Sequence, residues 1–283
     1  MVTAPPIRRR LVGRELRRYR ESLGLTLEDA ARTLECDRSK ISRIETGERG
    51  IRGKELRELL DDYGVTDDEQ ALLMLLADRH GASGWLQDYA GVLPNAWRDY
   101  LTLETAAARI DIYGAQQVPA LLQTPAYARA LAETDPSLKD DAARDLAAEA
   151  VTARQRAILA QRCPEVHVVI GEAALHQRIG TEDVMGEQLN ALAAMAADSG
   201  IVTVQVLLFE SGAHAAVGDG SVAILRLADA PALGLVHLGG IGGGVCLEDQ
   251  SQLDAYARVF EQLRAFSLSP AQSALLLRGL TGD

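Results

Sequence analysis

Two short helical patterns joined by a turn of a few residues constrain the first part of this chain more than any bulk property. In LTLEDAARTL, residues 25–34, Thr26 followed by Asp29 has capping-box spacing, with Asp in the place of Glu, and predicts a helix start. Ala30 and Ala31 are small where a scaffold helix must let a neighbour approach closely. Glu35 and Cys36 make the turn, Asp37 has the chemistry of an N-cap for the next helix, and Gly47 stops that helix. Ile41 and Ile44 mark its inward face. Glu35 stands where a turn glycine is commoner, so slight strain is expected there. Upstream, RELRRYRESL over 14–23 predicts a helix with Leu16, Tyr19 and Leu23 at helical spacing, ended by Gly24. Any single arginine on it is expected to be solvated. Downstream, residues 53–63 predict an amphipathic helix that buries Leu56, Leu59 and Leu60.

The net charge of −11 at pH 7 argues against a nucleic-acid partner until its distribution is read. Residues 1–57 carry 15 Lys and Arg against 9 Asp and Glu, a net +6; the remaining 226 carry 14 against 31, a net −17. A cationic N-terminal segment on an acidic body places any DNA contact at one end, and the body's charge disfavours wrong orientations. The length of 283 residues suits two domains. At 47% hydrophobic and 24% charged the composition is that of a folded globular protein. No apolar stretch reaches the ~18–20 residues of a membrane span, and the arginines near the N-terminus are not followed by the apolar run of a signal peptide. Cys36, Cys163 and Cys246 are widely spaced and odd in number, which points to a reducing cytoplasm.

Two helices with a tight turn between them place the second in the major groove of DNA, its N-terminal residues meeting base edges. Here those residues are Arg38, Ser39, Lys40, Ser42 and Arg43. Arg38, Ser39, Lys40 and Arg43 are expected to read bases, and Ser42, Arg49, Arg52 and Lys54 to hold phosphates. Arg8, Arg9 and Arg10 suggest a flexible arm for the minor groove or backbone. Glu45 is expected to be a structural partner for helix N–H groups or an arginine, since a carboxylate repels phosphate. The segment LTLEDAARTLECDRSKISRIETGERG, with Ile41, Ile44, Glu45 and Gly47, resembles the XRE family of the Cro and C1 repressor type. It departs from that family at Glu35-Cys36, where Gly followed by a β-branched residue is commoner.

Beyond residue 65 the pattern changes. DDEQALLMLLADRH is an acidic helix, and a Gly/Pro-punctuated stretch gathers Trp85, Tyr89, Trp97 and Tyr100, read as an interdomain packing cluster or an aromatic cage. Leu103–Tyr113 has helical periodicity. Pro119 and Pro125 bracket a turn that leads into a helix, and 140–162 is helical. VHVVIG, IVTVQVLLF, SVAILRL and LGLVHLGG read as strands. Helices lie between the first two (VMGEQLNALAAMAADSG) and after the last (DQSQLDAYARVFEQLRAFSL). The fold class expected is a mainly α N-terminal helix-turn-helix domain followed by an α+β domain with a small mixed sheet, antiparallel after Gly212. The domains are 1–65, a connecting helix and aromatic-rich linker over 66–100, and a regulatory or partner-binding domain over 101–283.

Residues 80–283 resemble the C-terminal domain of actinobacterial XRE regulators described as antitoxin-like. The resemblance is carried by Val118-Pro119-Ala120-Leu121-Leu122-Gln123-Thr124 with Tyr127, Arg154-Gln155, Glu172-Ala173-Ala174-Leu175 and Leu268-Ser269-Pro270. It implies a transcriptional regulator often paired with a small acidic protein encoded alongside. Ala120, Leu208 and Gly239-Gly240 depart from the pattern, the last at a strand end where such contacts would fall.

No catalytic site is recognised. GGIGGG over 239–244 lacks the Gly-Lys-Ser/Thr of a phosphate loop and is read as a flexible loop. Gly218-Asp219-Gly220-Ser221 precedes a strand and is read as a hairpin turn. His80, His167, His176, His214 and His237 are scattered, and His214 lies in a loop that is either solvated or lines a ligand pocket. The chain is therefore expected to be no enzyme, to need no cofactor or metal, and to be cytoplasmic and nucleoid-associated. Its expected partners are double-stranded operator DNA, a second copy of itself, and a small acidic neighbour-encoded protein or a small ligand. The alternative is an antitoxin-like protein that mainly holds such a partner and binds DNA for autoregulation.

Overall fold

Helix α1 (Ile7–Ser22) begins well before the position its apolar spacing suggested: Pro6 is its N-cap, with a carbonyl that accepts from Arg9 N and Arg10 N, and Leu11 and Val12 carry the buried face forward. The computed structural model describes residues 5–78, 84–93, 95–159, 164–198, 200–227, 233–240 and 243–281. Arg8, Arg9 and Arg10 are helical in it, not a flexible arm. Arg8 Nη1 donates to the carbonyl of Asp78, and Arg10 Nη1 to that of Pro5. Helices α2 (Leu27–Thr33), α3 (Arg38–Glu45), α4 (Gly53–Asp62) and α5 (Asp67–Ala77) follow. Leu16, Ile41, Ile44, Leu56, Leu59, Leu60 and Leu73 are buried together with Ala30 and Ala31. α5, read from sequence as the start of a connecting segment, packs against α1 and α4. These helices lie in the first of the chain's two compact units, Met1–Gly84; the second is Trp85–Asp283.

Gly13 marks the closest approach of α1 to α3. A Cβ there would overlap the carbonyl oxygen of Ile44 and come within 2.6 Å of that of Glu45.

After a short helix α6 (Gly84–Asp88), the C-terminal unit runs α7 (Asn95–Thr105), strand β1 (Arg109–Gly114), α8 (Pro125–Ala132), α9 (Asp141–Leu159) and β2 (Glu165–Gly171). It continues with α10 (Glu172–His176), α11 (Glu182–Ala197), β3 (Val202–Leu207), β4 (Val222–Arg226), β5 (Gly234–Leu238) and β6 (Val245–Leu247). Helices α12 (Gln250–Phe266) and α13 (Pro270–Leu280) close it. The strands form one mixed sheet in the order β3-β2-β1-β4-β5-β6. β1, β2 and β3 are parallel, and β4, β5 and β6 are antiparallel to their neighbours. One face, with Tyr113, Val169, Ile224 and Val236, packs on Leu253, Phe260 and Leu263 of α12.

β1 corrects the helical reading of residues 103–113. The helix ends at Thr105, and Arg109–Gly114 becomes the strand shared by the parallel and antiparallel halves. The strand reads Arg-Ile-Asp-Ile-Tyr-Gly, with the period-two alternation of a strand, but it is only six residues long and follows closely on α7, whose helical spacing masks it. Asp111 is buried there with Arg109 Nε 2.9 Å away. The segment around Gly218–Ser221 is likewise not a hairpin turn: β4 pairs with β1 and β5, not with β3, so the connection from β3 crosses the end of the sheet. The true hairpins join β4 to β5 and β5 to β6. In the second, Gly243 and Gly244 have φ of 116° and 72°; the rest of the 239–244 run lies partly outside the described residues.

Edge strand β3 is shielded by the chain that follows α12. Leu268 N donates to the Val206 carbonyl at 2.9 Å and Val206 N to Ser273 Oγ at 3.0 Å. Occupied backbone groups cannot template another strand.

Gly13→Ala tests the α1–α3 contact. Alanine adds about 1 kcal/mol of intrinsic helix preference, yet overpacking costs about 1–3 kcal/mol. The expected net result is faster amide exchange throughout α1 and α3. Protection equal to or above that of the unaltered protein contradicts the close approach.

Candidate nucleic-acid interface

The turn before α3 sets its direction. Thr26 accepts from Asp29 N while the Asp29 carboxylate accepts from Thr26 N at 2.7 Å, so the predicted capping box is present at the start of α2. Glu35 takes φ of 46°, the one positive value at a non-glycine among the described residues, as its place in the turn led one to expect. Asp37 is the N-cap of α3 by position, but its side chain makes no capping bond; its carbonyl accepts from Lys40 N at 2.9 Å instead.

At 100° per residue, Arg38, Ser39, Ser42, Arg43 and Thr46 fall within an arc of about 140° on α3, opposite the buried Ile41 and Ile44. Arg38, Ser39 and Arg43 are exposed, and Ser42 is half-buried. Arg38 Nη1 lies 3.3 Å from Glu28 Oε1 across the turn, with both side chains mostly in solvent. Such a pair is weak and readily exchanged. Arg49, Arg52 and Lys54, in the loop after α3 and the first turn of α4, are exposed as well.

Lys40 stands apart. It falls outside the arc, and its Nζ donates to Glu55 Oε1 of α4 at 2.8 Å with most of the side chain covered. That bond holds the Glu55 carboxyl below its ordinary pKa, with a smaller contribution from Arg52 N. The structure thus brings Arg38, Ser39, Ser42 and Arg43 together on one face and uses Lys40 to brace α3 against α4.

The strongest brace is one that sequence reasoning only half anticipated. Glu45 does serve an arginine: Arg20 Nε donates to Oε1 at 2.7 Å and Nη2 to Oε2 at 2.9 Å. Nη1 of the same guanidinium donates to the Leu25 carbonyl at 2.8 Å. Arg20 is therefore not a solvated helix arginine. Its side chain is 8% exposed and that of Glu45 is 6%, and the bond to Glu45 raises the guanidinium pKa. One side chain ties α1, the entry to α2 and the end of α3 together. No spacing rule pairs residues 20 and 45; the carboxylate on an otherwise cationic helix was the only signal.

The helices and this exposed cationic arc define a helix-turn-helix DNA-binding protein. Residues 11–73 match the model of a helix-turn-helix domain. Residues 97–279, well over half of the chain, match the family described as a domain of unknown function, DUF5753, and the chain belongs to that family. No curated protein and no solved structure matches it. Among the described residues no group of three or more His, Cys, Asp and Glu is placed to hold a metal ion, and no helix is long and apolar enough to cross a membrane. His80 and Cys163 lie outside the described residues.

Removing one partner of a buried bidentate pair leaves the other charge without compensation, at a cost of about 3–5 kcal/mol. Arg20→Met is therefore expected to destabilise the N-terminal unit on that scale. Arg20→Met with Glu45→Leu should lose markedly less than the sum of the two single variants. Urea unfolding of the four proteins in a double-mutant cycle measures this, and strictly additive losses contradict the coupling.

Proposed function

We propose that the protein is a sequence-specific transcriptional regulator of the XRE type that binds operator DNA as a dimer through α3. Its C-terminal unit, in this reading, governs that binding through a small molecule or a partner protein and performs no catalysis. What carries the reading is the arc of Arg38, Ser39, Ser42 and Arg43, opposite the isoleucines that anchor α3 and fixed by the Arg20–Glu45 brace. A single helix of eight residues reads few base pairs. Two copies on half-sites ~34 Å apart, or a multiple of that, supply the missing specificity.

A second reading gives the C-terminal unit the main task of holding a small protein encoded nearby. It is favoured by Phe209 and Val217, 66% and 71% exposed, beside the ends of β1, β2 and β3. Affinity capture with the neighbouring gene product separates the two: a tight complex that neutralises a toxic activity supports the second.

In binding titrations against a site selected from genomic DNA, Arg43→Ala is expected to lose about 1–3 kcal/mol and to relax preference at one base position. Unaltered affinity and selectivity overturn the role of α3. Lys54→Ala should weaken all sequences alike and lower the salt slope by about 1. A slope equal to that of the unaltered protein removes Lys54 from the phosphate contacts.

A further inference from the structure

The C-terminal unit contains a cavity of about 710 Å³ on the face of the sheet that bears Ile112, Ala223 and His237. It opens beside the carboxyl end of β1, where the chain reverses its progress across the sheet: β2 and β3 lie to one side of β1 and β4 to the other. Because β4 runs antiparallel to β1, the connection leaving β1 and the chain arriving at β4 meet at this end, and residues of both, Gln116, Gln117, Gly220 and Ser221, line the cavity. The volume lies within the range of small-molecule sites.

The walls say what kind of molecule fits. One wall is aromatic: Tyr100 stacks on His237 with ring centres 4.3 Å apart, and Trp97 meets His237 edge-on at 5.7 Å. Arg154 lies over both rings, 5.8 Å from Trp97 and 5.7 Å from Tyr100. Its charge is already matched, because Nε and Nη2 donate to the two Glu104 oxygens at 2.7 Å and Tyr100 OH donates to Glu104 Oε1 at 2.8 Å. Burial holds His237 below its ordinary pKa, hence neutral at pH 7, and its Nε2 is 2.9 Å from the Gly243 carbonyl. Around the opening stand the carboxamides of Gln116, Gln117 and Gln177. A charged ligand entering this cavity would lose water and meet no unmatched opposite charge, a net cost. A flat uncharged one gains the aromatic wall and the amide hydrogen bonds.

We propose that this cavity, between α7, α9 and the sheet, is a binding site for an uncharged, planar, aromatic or conjugated small molecule with hydrogen-bonding groups at its edge. The proposal rests on the reading of the C-terminal unit as the sensing part and supplies the class of effector. Two of the cavity's lining residues, Trp97 and Tyr100, sit on α7, the first long helix after the DNA-binding unit, as does Glu104, which holds Arg154 and Tyr100 from behind. An occupant there contacts the element through which the chain enters the regulatory fold.

The probe is prodan, a neutral naphthyl ketone whose absorption overlaps tryptophan emission, titrated into the full-length protein carrying Trp85→Phe. The chain has two tryptophans, so Trp97 is then the sole donor. Saturable energy transfer from Trp97 with one site per chain is expected. Gln177→Trp and Ala120→Trp, each with Trp97 replaced by Phe and read by dye emission, narrow the opening at positions that are not fully buried. They are expected to weaken binding at least tenfold, whereas Leu275→Trp, remote from the cavity, leaves it unaltered. The anionic anilinonaphthalene sulfonate and the cationic thioflavin T are expected to bind at least tenfold more weakly than prodan. Absence of saturable transfer, or undiminished binding in both narrowed variants, overturns the site. Equal binding of a charged dye overturns the chemical class. The narrowed variants should retain operator binding without dye, so a failure here is distinguishable from a failure of the DNA-binding reading.

Discussion

The presentation of α3 depends on an ion pair taken almost wholly out of water. Arg20 on α1 grips both oxygens of Glu45 on α3 and reaches the Leu25 carbonyl as well. Fixed geometry is what this brings. Gly13 lets α1 approach the α3 backbone so closely that no side chain fits between, and the fork of the guanidinium sets the azimuth of a helix only two turns long. Lys40 and Glu55 secure the opposite flank against α4. Arg38, Ser39, Ser42 and Arg43 remain on the free side. Charges that appear interchangeable in the sequence thus separate into those that hold the helix and those left to meet a partner.

The C-terminal unit uses the same device for a different end. Glu104, fully buried, receives Arg154 through two bonds and Tyr100 through a third, which joins α7 to α9. A matched pair leaves the adjoining cavity without net charge while keeping its aromatic wall rigid. β1 is the counterpart of this arrangement in the sheet. It carries the parallel half on one edge and the antiparallel half on the other, and its end opens onto the cavity.

What could be read from residues alone follows the range of the interactions involved. Thr26 with Asp29, Gly47 after α3 and Pro125 at the start of α8 are local hydrogen-bonding or backbone devices, and each stands where the sequence placed it. So does the unfavourable backbone of Glu35. Asp37 kept its place but not its capping bond. The larger failures are non-local. The helical reading of 103–113 runs past Thr105 into β1, whose buried Asp111 is accommodated only because Arg109 and Arg226 reach it in the folded sheet, and the short β6 exists only because β5 is there to pair with it. The aromatic group Trp85, Tyr89, Trp97 and Tyr100 resolved into pairs, with Trp97 and Tyr100 joined by His237 from a strand far along the chain.

By itself the sequence determined that a cationic helical segment precedes an acidic α+β segment, and which short helix carries the residues suited to DNA. Charge sign, apolar spacing and capping are properties of neighbours along the chain. Only the tertiary structure decided that Arg20 and Lys40 serve the scaffold, that β1 divides the sheet, and that Trp97, Arg154 and His237 share one cavity. Those assignments depend on which groups lose water together, and residues 15 to 140 positions apart become neighbours only when the chain has folded.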